Sequence, residues 1–546
     1  MSALGQKRTN RSGRKFSFVR YCPKADIWTA NSPKFTRMLL VPNRNQVPLK
    51  GDGARASTPT AKEMFVTSMF DRAATDLWEW FSGAFDLAEL AKGSTANLAV
   101  TGLSRAGKTV FITSLVHNLL SALHQPYRMP FLKVVGDGRL VAARLVGDKT
   151  SGLSRFPYKR NIEQMAASPA NWPARTTDLS EIEIDIRFVP AGALGVLLGW
   201  IGSGTATLKL KIIDYPGEWL LDLPLLDQSY ADWSRATLEL CRRGIRAGTA
   251  RDFIAFLSDH RHDAPESEEG ARRAHELYRQ HLRAARDQHG LNFLQPGRFL
   301  DPGSLREKSY MWFAPLDIPD SLQRSTDGTL AAVMERRFEA YKTEVVMPFY
   351  SQYFRNYSRQ VVLVDVLGAL LAGREVFDDT RHAVDAILES FRYGHSGIIS
   401  RLLQSARIEK VLFAATKADH VPEVQRDHLA ALLRNMVALP ALDVSGSNAM
   451  FDVAALASVI STEEDTQDID GHRVQVVVGK PVGSDTRAKF FIGNVPARPP
   501  RPEAWGKPFL NIPVFEPPVI DVSPIDGIAH INLDLALEYL IGDKLR

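Results

Sequence analysis

Gly102, Gly107, Lys108 and Thr109 complete G-x-x-x-x-G-K-[ST] in Gly-Leu-Ser-Arg-Ala-Gly-Lys-Thr, a spacing suited to a polyphosphate. The backbone amides of Ser104 to Thr109 can point into one cavity, and the positive end of a following helix strengthens their field. In that chemistry Lys108 reaches the β- and γ-phosphates and the Thr109 hydroxyl ligates Mg²⁺. Gly102, Ser104, Arg105, Ala106, Gly107 and Val110 are the loop's candidate nucleotide contacts. Arg105 either touches phosphate or braces the loop. Downstream, Asp214-Tyr-Pro-Gly217 matches D-x-x-G, in which the acid holds Mg²⁺ through water and the Gly217 N–H senses the γ-phosphate. Further on, Thr416-Lys-Ala-Asp419 matches [NT]-K-x-D, with threonine where asparagine is commoner. Asp419 can accept two N–H bonds from the guanine edge; adenine offers neither, so the wrong base leaves a carboxylate unpaired. Lys417 would lay its stem over the base and reach back to the phosphate loop.

Two further groups bear on the reaction itself. Glu218 follows D-x-x-G, where many GTPases place a water-orienting glutamine; a glutamate can orient water, although its charge does not favour the γ-phosphate. Arg175-Thr-Thr precedes a strand, and an arginine there can act as a finger in cis, with Thr176 or Thr177 on Mg²⁺. The competing reading is a capping cluster. The candidate catalytic residues are thus Lys108, Arg175 and Glu218, and the candidate metal ligands are Thr109, Asp214 and one of Thr176 and Thr177. Trp172, His420, Ser458 and Val459 complete the candidate nucleotide contacts.

These groups need strands and helices to hold them. Asn97 to Thr101 reads as a short apolar strand, and Thr109 to Ser121 has the apolar spacing of a helix. Glu181 to Phe188 alternates apolar and charged residues, as in a half-buried strand, and Leu208 to Ile213 offers an antiparallel partner. Gln360 to Asp365, Lys410 to Ala415 and Phe451 to Val459 read as buried parallel strands. Strands alternating with helices imply an α/β fold with a mostly parallel sheet. Phe70 to Leu90 has amphipathic spacing with acids on its polar side, which suits packing on the protein core better than a membrane surface. Glu269 to Gly290 reads as a solvated helix whose acids lead and whose arginines follow, in keeping with the helix dipole.

The chain of 546 residues is too long for one compact core. The expected division is a basic tail at 1–61, a helix and phosphate-loop start at 62–121, an insertion with the first switch at 122–180, and core strands with D-x-x-G at 181–224. A helical insertion at 225–345, a core segment with T-K-x-D at 346–465, and a strand-rich segment with a closing helix at 466–546 follow. The tail holds twelve Lys/Arg against two acids, so +10 of charge sits there and −5 on the rest of a chain whose total is +5. No general nucleic-acid surface is indicated. The tail is a disordered arm, a targeting sequence, or translated sequence ahead of a start at Met64 or Met69, the last being favoured. Cys22 and Cys241 fit no metal spacing and no disulfide framework, which suits a reducing compartment. The most apolar run, Ala191 to Gly204, is too short to span a bilayer. Asp259-His-Arg-His-Asp lacks a further ligand at metal spacing.

With these motifs in hand, the chain resembles the YcjX-like family of bacterial P-loop GTPases. The resemblance rests on residues 102–115, 172–182, 214–220, 360–365, 413–420 and 541–545, and covers roughly 70–546. It implies a P-loop NTPase with a Ras-like, mostly parallel sheet interrupted by large, mainly helical insertions. It also implies GTP and GDP as ligands with Mg²⁺, a cytoplasmic location (peripheral at the inner membrane if it meets a membrane-associated protein partner), and a link to stress responses. The expected function is a slow GTP hydrolase acting as a nucleotide-state switch. A nucleotide-binding scaffold with negligible turnover and an ATP-dependent phosphotransferase are the alternatives.

Overall fold

A computed structural model describes residues 94–147, 153–174, 179–192, 204–319, 321, 325–391, 408–437, 449–469, 471–506, 509–520 and 526–546. The basic tail, the expected helix at 70–90, Arg175, Thr176, Thr177 and most of the apolar run 191–204 lie outside the described residues.

Eight strands form the main sheet: β1 (Ser94–Gly102), β2 (Leu140–Leu145), β3 (Ser154–Arg155), β4 (Ser180–Phe188), β5 (Ala206–Asp214), β6 (Arg359–Val364), β7 (Lys410–Ala415) and β8 (Met450–Ala455). Their order is β2-β4-β5-β1-β6-β7-β8, with the short β3 beside β4. β5, β1, β6, β7 and β8 are parallel; β4 runs antiparallel to β5, and β2 antiparallel to β4. This is the α/β class that the alternation of strand and helix signals implies. β8 stops at Ala455, short of the expected Val459, because Leu456 makes the last ladder bond to Ala415 and the chain then turns over the strand ends. β2 was not foreseen; Leu-Val-Ala-Ala-Arg-Leu does not alternate, and a register shift interrupts its pairing.

Every residue of β6 and β7 is buried, which is why both read as continuous apolar runs: the sheet is covered on both faces. Val361, Leu363, Leu412 and Ala414 face one layer with Leu98 and Val100, whereas Val362, Val364, Phe413 and Ala415 face the other. The first layer is closed by α1 (Lys108–Ser121) and, far along the chain, by α8 (Leu533–Ile541). The second is closed by α2 (Tyr230–Cys241), α3 (Glu268–His289), α4 (Leu330–Tyr341), α5 (Val366–Ala372), α6 (Arg374–Glu389) and α7 (Glu423–Met436). On β4, Ile182, Ile184, Ile186 and Phe188 enter the first layer opposite Ile212, Leu210, Leu208 and Ala206 of β5. A separate three-stranded antiparallel sheet, β11 (Ala488–Phe490), β10 (His472–Gly479) and β9 (Glu463–Ile469), follows the core.

α3 is not a solvated helix. Ala271, Ala274, Tyr278, Leu282 and Ala285 are buried, and the arginines of its second half reach a neighbouring segment while Arg272 and Arg273 stay exposed beside Glu276. Arg279 donates to the Phe299 carbonyl at 2.7 Å, Arg283 to that of Leu300 at 3.1 Å, and Arg286 to Asp301 at 3.0 Å. The stretch between α3 and α4 holds only short 3₁₀ turns, yet Phe299 and Phe313 pack with Trp233, Tyr278, Phe338 and Tyr341 in one aromatic cluster. At 259–263, the His260 ring lies flat on Phe256 and Arg261 pairs with Asp263. Among the described residues no His, Cys, Asp or Glu group could hold a metal ion by itself, and no helix is long and apolar enough to cross a membrane.

The turn after α8 is fastened to the sheet by charge. Asp543 accepts from the fully buried Arg359 of β6 at 2.6 Å and from Lys410 of β7 at 2.7 Å. Burial pushes the Asp543 carboxyl up, but the Lys410 hydrogen bond and the two positive charges outweigh it and hold the group below its ordinary value. Its contribution is therefore present above about pH 4 and lost as pH falls through the depressed value. Asp543→Ala should cost roughly 2 kcal/mol, between the surface and buried limits for ion pairs, and weaken the dependence of stability on pH below 4. Urea unfolding from pH 2.5 to 7 checks both.

Candidate functional site

Five parallel strands deliver their carboxyl ends to one edge of the sheet, and the loops that follow them surround a cavity of about 650 Å³. The loop after β1 supplies Gly102 to Thr109. The segments after β5 and β6 supply Glu218 and Asp365, that after β7 supplies Thr416 to His420, and that after β8 supplies Ala457 to Ser461. Trp172 and Ile512 to Phe515 complete the wall.

At the phosphate-loop end the backbone takes two left-handed turns, at Arg105 (φ 64°) and at Gly107 (φ 78°). The second costs glycine little; the first is unfavourable for an arginine and is held by its partners. Arg105 Nη2 donates to the Asp287 carbonyl at 2.9 Å, a contact that braces the loop. The Ser104 N–H donates to Asn292 Oδ1 at 3.1 Å. Lys108 is ion-paired with Asp214, which is 1% exposed. Asp214 Oδ1 takes that contact; its Oδ2 is buried with no protein partner. With the Thr109 hydroxyl on the same loop, a buried carboxylate oxygen left over is the oxygen donor set that suits Mg²⁺.

Gly217 packs against the loop from behind: a Cβ there would collide with the Gly102 carbonyl oxygen. Glu218, buried at 5%, lines the cavity beside it. The 3₁₀ segment Gly217–Asp227 is then anchored by Asp222, whose carboxylate accepts from Gly297 N at 2.7 Å, Arg298 N at 3.4 Å and Tyr341 Oη at 2.6 Å. Full burial pushes this acid up to about 6 despite those donors and the nearby Arg298 charge.

At the opposite end, Lys417 adopts a left-handed backbone (φ 62°) and its ammonium pairs with Asp365. Asp365 also caps α5, accepting from Gly368 N at 2.9 Å. Asp419, 4% exposed, receives Ser461 N at 2.9 Å and Ser461 Oγ at 2.7 Å, both on Oδ2. His420 lies edge-on to Phe515 and is held neutral mainly by burial. Ser458 gives its carbonyl to Ser114 of α1. Val459 packs with Ile162, Met165 and Ile528, and Val110 and Trp172 lie against the same small cluster. Trp172 Nε1 donates to the Phe515 carbonyl at 3.0 Å, tying two parts of the cavity wall together.

The described candidate residues therefore come together around one cavity. Arg175, Thr176 and Thr177 lie outside the described residues. Sequence reasoning missed Ser461, Asn292 and the 512–515 wall; it noted Asp365 only as the acid ending an apolar strand. Ser461 could have been sought just beyond β8, whereas nothing near Asn292 in sequence marks it.

A family model described as "YcjX-like family, DUF463" matches residues 96–545. A protein of Escherichia coli named "Ras-like GTPase YcjX" is 37% identical over 456 residues, covering 82% of this chain and 96% of that protein. A protein of the same name from Shewanella oneidensis is 34% identical over 464 residues, 82% of this chain and 94% of its own.

The raised Asp222 carboxyl sets a second pH window. A folded value above the ordinary 3.8 means the acid form is favoured by folding, so this group's contribution is full below pH 4 and lost as pH rises through about 6. Asp222→Asn should remove that loss, flattening stability between pH 4 and 7 by an amount on the order of 2 kcal/mol. Thermal melting of both proteins across that range is the check.

Proposed function

This chain belongs to the YcjX-like family, and on that premise we propose that it binds GTP and GDP with Mg²⁺ and hydrolyses GTP to GDP and phosphate. The fold is the Ras-like, mostly parallel α/β sheet of P-loop NTPases with helical insertions. One observation carries the reading: a single cavity has the phosphate loop, Lys108 and Asp214 at one end and Lys417 and Asp419 at the other.

Lys108 and the loop amides neutralise charge on the transferring phosphoryl group. Thr109 and Asp214, joined by Thr176 or Thr177, would hold Mg²⁺, which would supply positive charge to offset that of the phosphates. Glu218, buried next to Gly217, orients the attacking water, and Arg175 adds positive charge as a finger in cis. Ser461 fixes one oxygen of Asp419, which presents the carboxylate to the guanine N–H pair and rejects adenine. The segments that meet the γ-phosphate report nucleotide state, which makes the protein a switch.

Calorimetry with GTP, GDP and ATP, each with Mg²⁺, on wild type and Asp419→Asn tests the base pocket. Guanine affinity should fall about 10–100-fold in the variant, the cost of mispairing buried polar groups, while ATP binds weakly to both. Equal ATP and GTP affinity, unmoved by the substitution, would sink the guanine assignment and return the ATP-dependent phosphotransferase. Phosphate release from bound GTP should be slow but measurable; GTP intact after a day would leave a nucleotide-binding scaffold.

A further inference from the structure

The stretch from Gly290 to Phe299 touches both elements that would face a γ-phosphate, and the scheme above makes no use of it. It leaves α3 at Gly290, whose φ of 74° turns the chain beside Arg105. Two residues on, Asn292 is 8% exposed, with both ends of its amide engaged. Oδ1 accepts the Ser104 N–H at 3.1 Å, and Nδ2 donates to Thr380 Oγ1 at 2.9 Å and to the Gly290 carbonyl at 3.3 Å. The backbone N–H groups of Asn292 and Phe293 donate to Asp379 at 2.6 and 3.0 Å, and Asp379 is paired with the buried Arg246. Farther along, Gln295 donates to the Leu221 carbonyl, and Gly297 and Arg298 reach Asp222. One segment of the helical insertion thus fixes the phosphate loop at Ser104 and, at Leu221 and Asp222, the 3₁₀ segment that continues from the D-x-x-G turn.

We propose that Asn292 is a positioning residue that sets the Ser104–Arg105 backbone in the form that accepts a γ-phosphate, so that the insertion governs the preference for tri- over diphosphate. The inference deepens the guanine-nucleotide reading and rests on it. Amides of a phosphate loop act as a set, and rotating one peptide unit redirects the next N–H. Asn292 holds the Ser104 N–H, while the start of α1 at Gly107 to Thr109, which would take the β-phosphate, has no bond to it. Removing the Asn292 amide leaves a partly buried N–H without its acceptor and lets the Ser104 peptide turn. The diphosphate loses little, and the triphosphate loses the contacts that this part of the loop would give it.

The test compares the full-length wild type with Asn292→Ala for GTPγS and GDP affinity with Mg²⁺ by calorimetry, and for single-turnover GTP hydrolysis. The GTPγS-to-GDP affinity ratio should fall about tenfold, or 1.4 kcal/mol, with GDP affinity held within about threefold and the single-turnover rate reduced. An unchanged ratio in a variant that melts like the wild type, or equal losses for both nucleotides, overturns the proposal. Should Asn292→Ala fail to fold, Thr380→Val removes only the hydroxyl that orients the Asn292 amide, and the same ratio must fall in it. A wild type that binds neither guanine nucleotide overturns the proposed function and this inference together. A wild type that binds both but leaves GTP intact overturns hydrolysis alone, and the affinity ratio still decides the role of Asn292.

Discussion

Because β1 runs parallel to both β5 and β6, and β7 and β8 continue in the same direction, five carboxyl ends open at one edge of the sheet. The register sets Val100 against Asp214, Gly102 against Leu363, and Ala415 between Val364 and Ala455. Gly102 to Thr109, Asp214 and Asp419 are thereby brought together around one cavity though they are far apart in sequence. Both sheet faces are buried, so a slip of one residue in any central strand would exchange the two layers and scatter the loops.

On that frame the site is held by buried charge and by backbone conformations that side chains seldom adopt. The Lys108–Asp214 and Lys417–Asp365 pairs sit at opposite ends of the cavity, and Arg105 and Lys417 both have positive φ. Each is costly taken alone. What sustains them is support from distant segments: Asp287 and Asn292 behind the phosphate loop, Ser461 behind Asp419, and the Asp222 carboxylate beneath the turn after Gly217. The helical insertion is therefore a structural part of the cavity, not an appendage to it.

The motifs that could be read from the sequence are those whose chemistry is local. Gly102 to Thr109 is a loop with its own strand and helix, Asp214 ends an apolar strand and Asp419 follows one in the next turn, so spacing alone announces them. The alternation from Glu181 to Phe188 gave its partner strand and its register face. Asn292 could not be read this way: its acceptor role depends on a contact across 188 residues, and its neighbours carry no periodicity. Ser461 lies 42 residues from Asp419, and Asp222 stands in an apolar run where an acid looks out of place. α3 was misjudged because its arginines suggest water, whereas Arg279 and Arg283 satisfy carbonyls of a neighbouring segment built of short 3₁₀ turns. β2 was missed because an edge strand with one fully buried residue needs no alternation.

α8 closes the layer that α1 begins, and Lys133 N and Glu538, which meet at 3.0 Å, are 405 residues apart. At 5–20 residues per second, a ribosome needs roughly 20–80 s to bridge that interval. Throughout it, Leu98, Val100 and Leu115 have been made while Leu533, Leu537 and Leu540, buried in the same layer, have not. The nascent chain thus presents an apolar sheet face with no lid, long enough for a chaperone to find it. The order of synthesis leaves the first half of the sheet waiting on the far end of the chain before it can be dry.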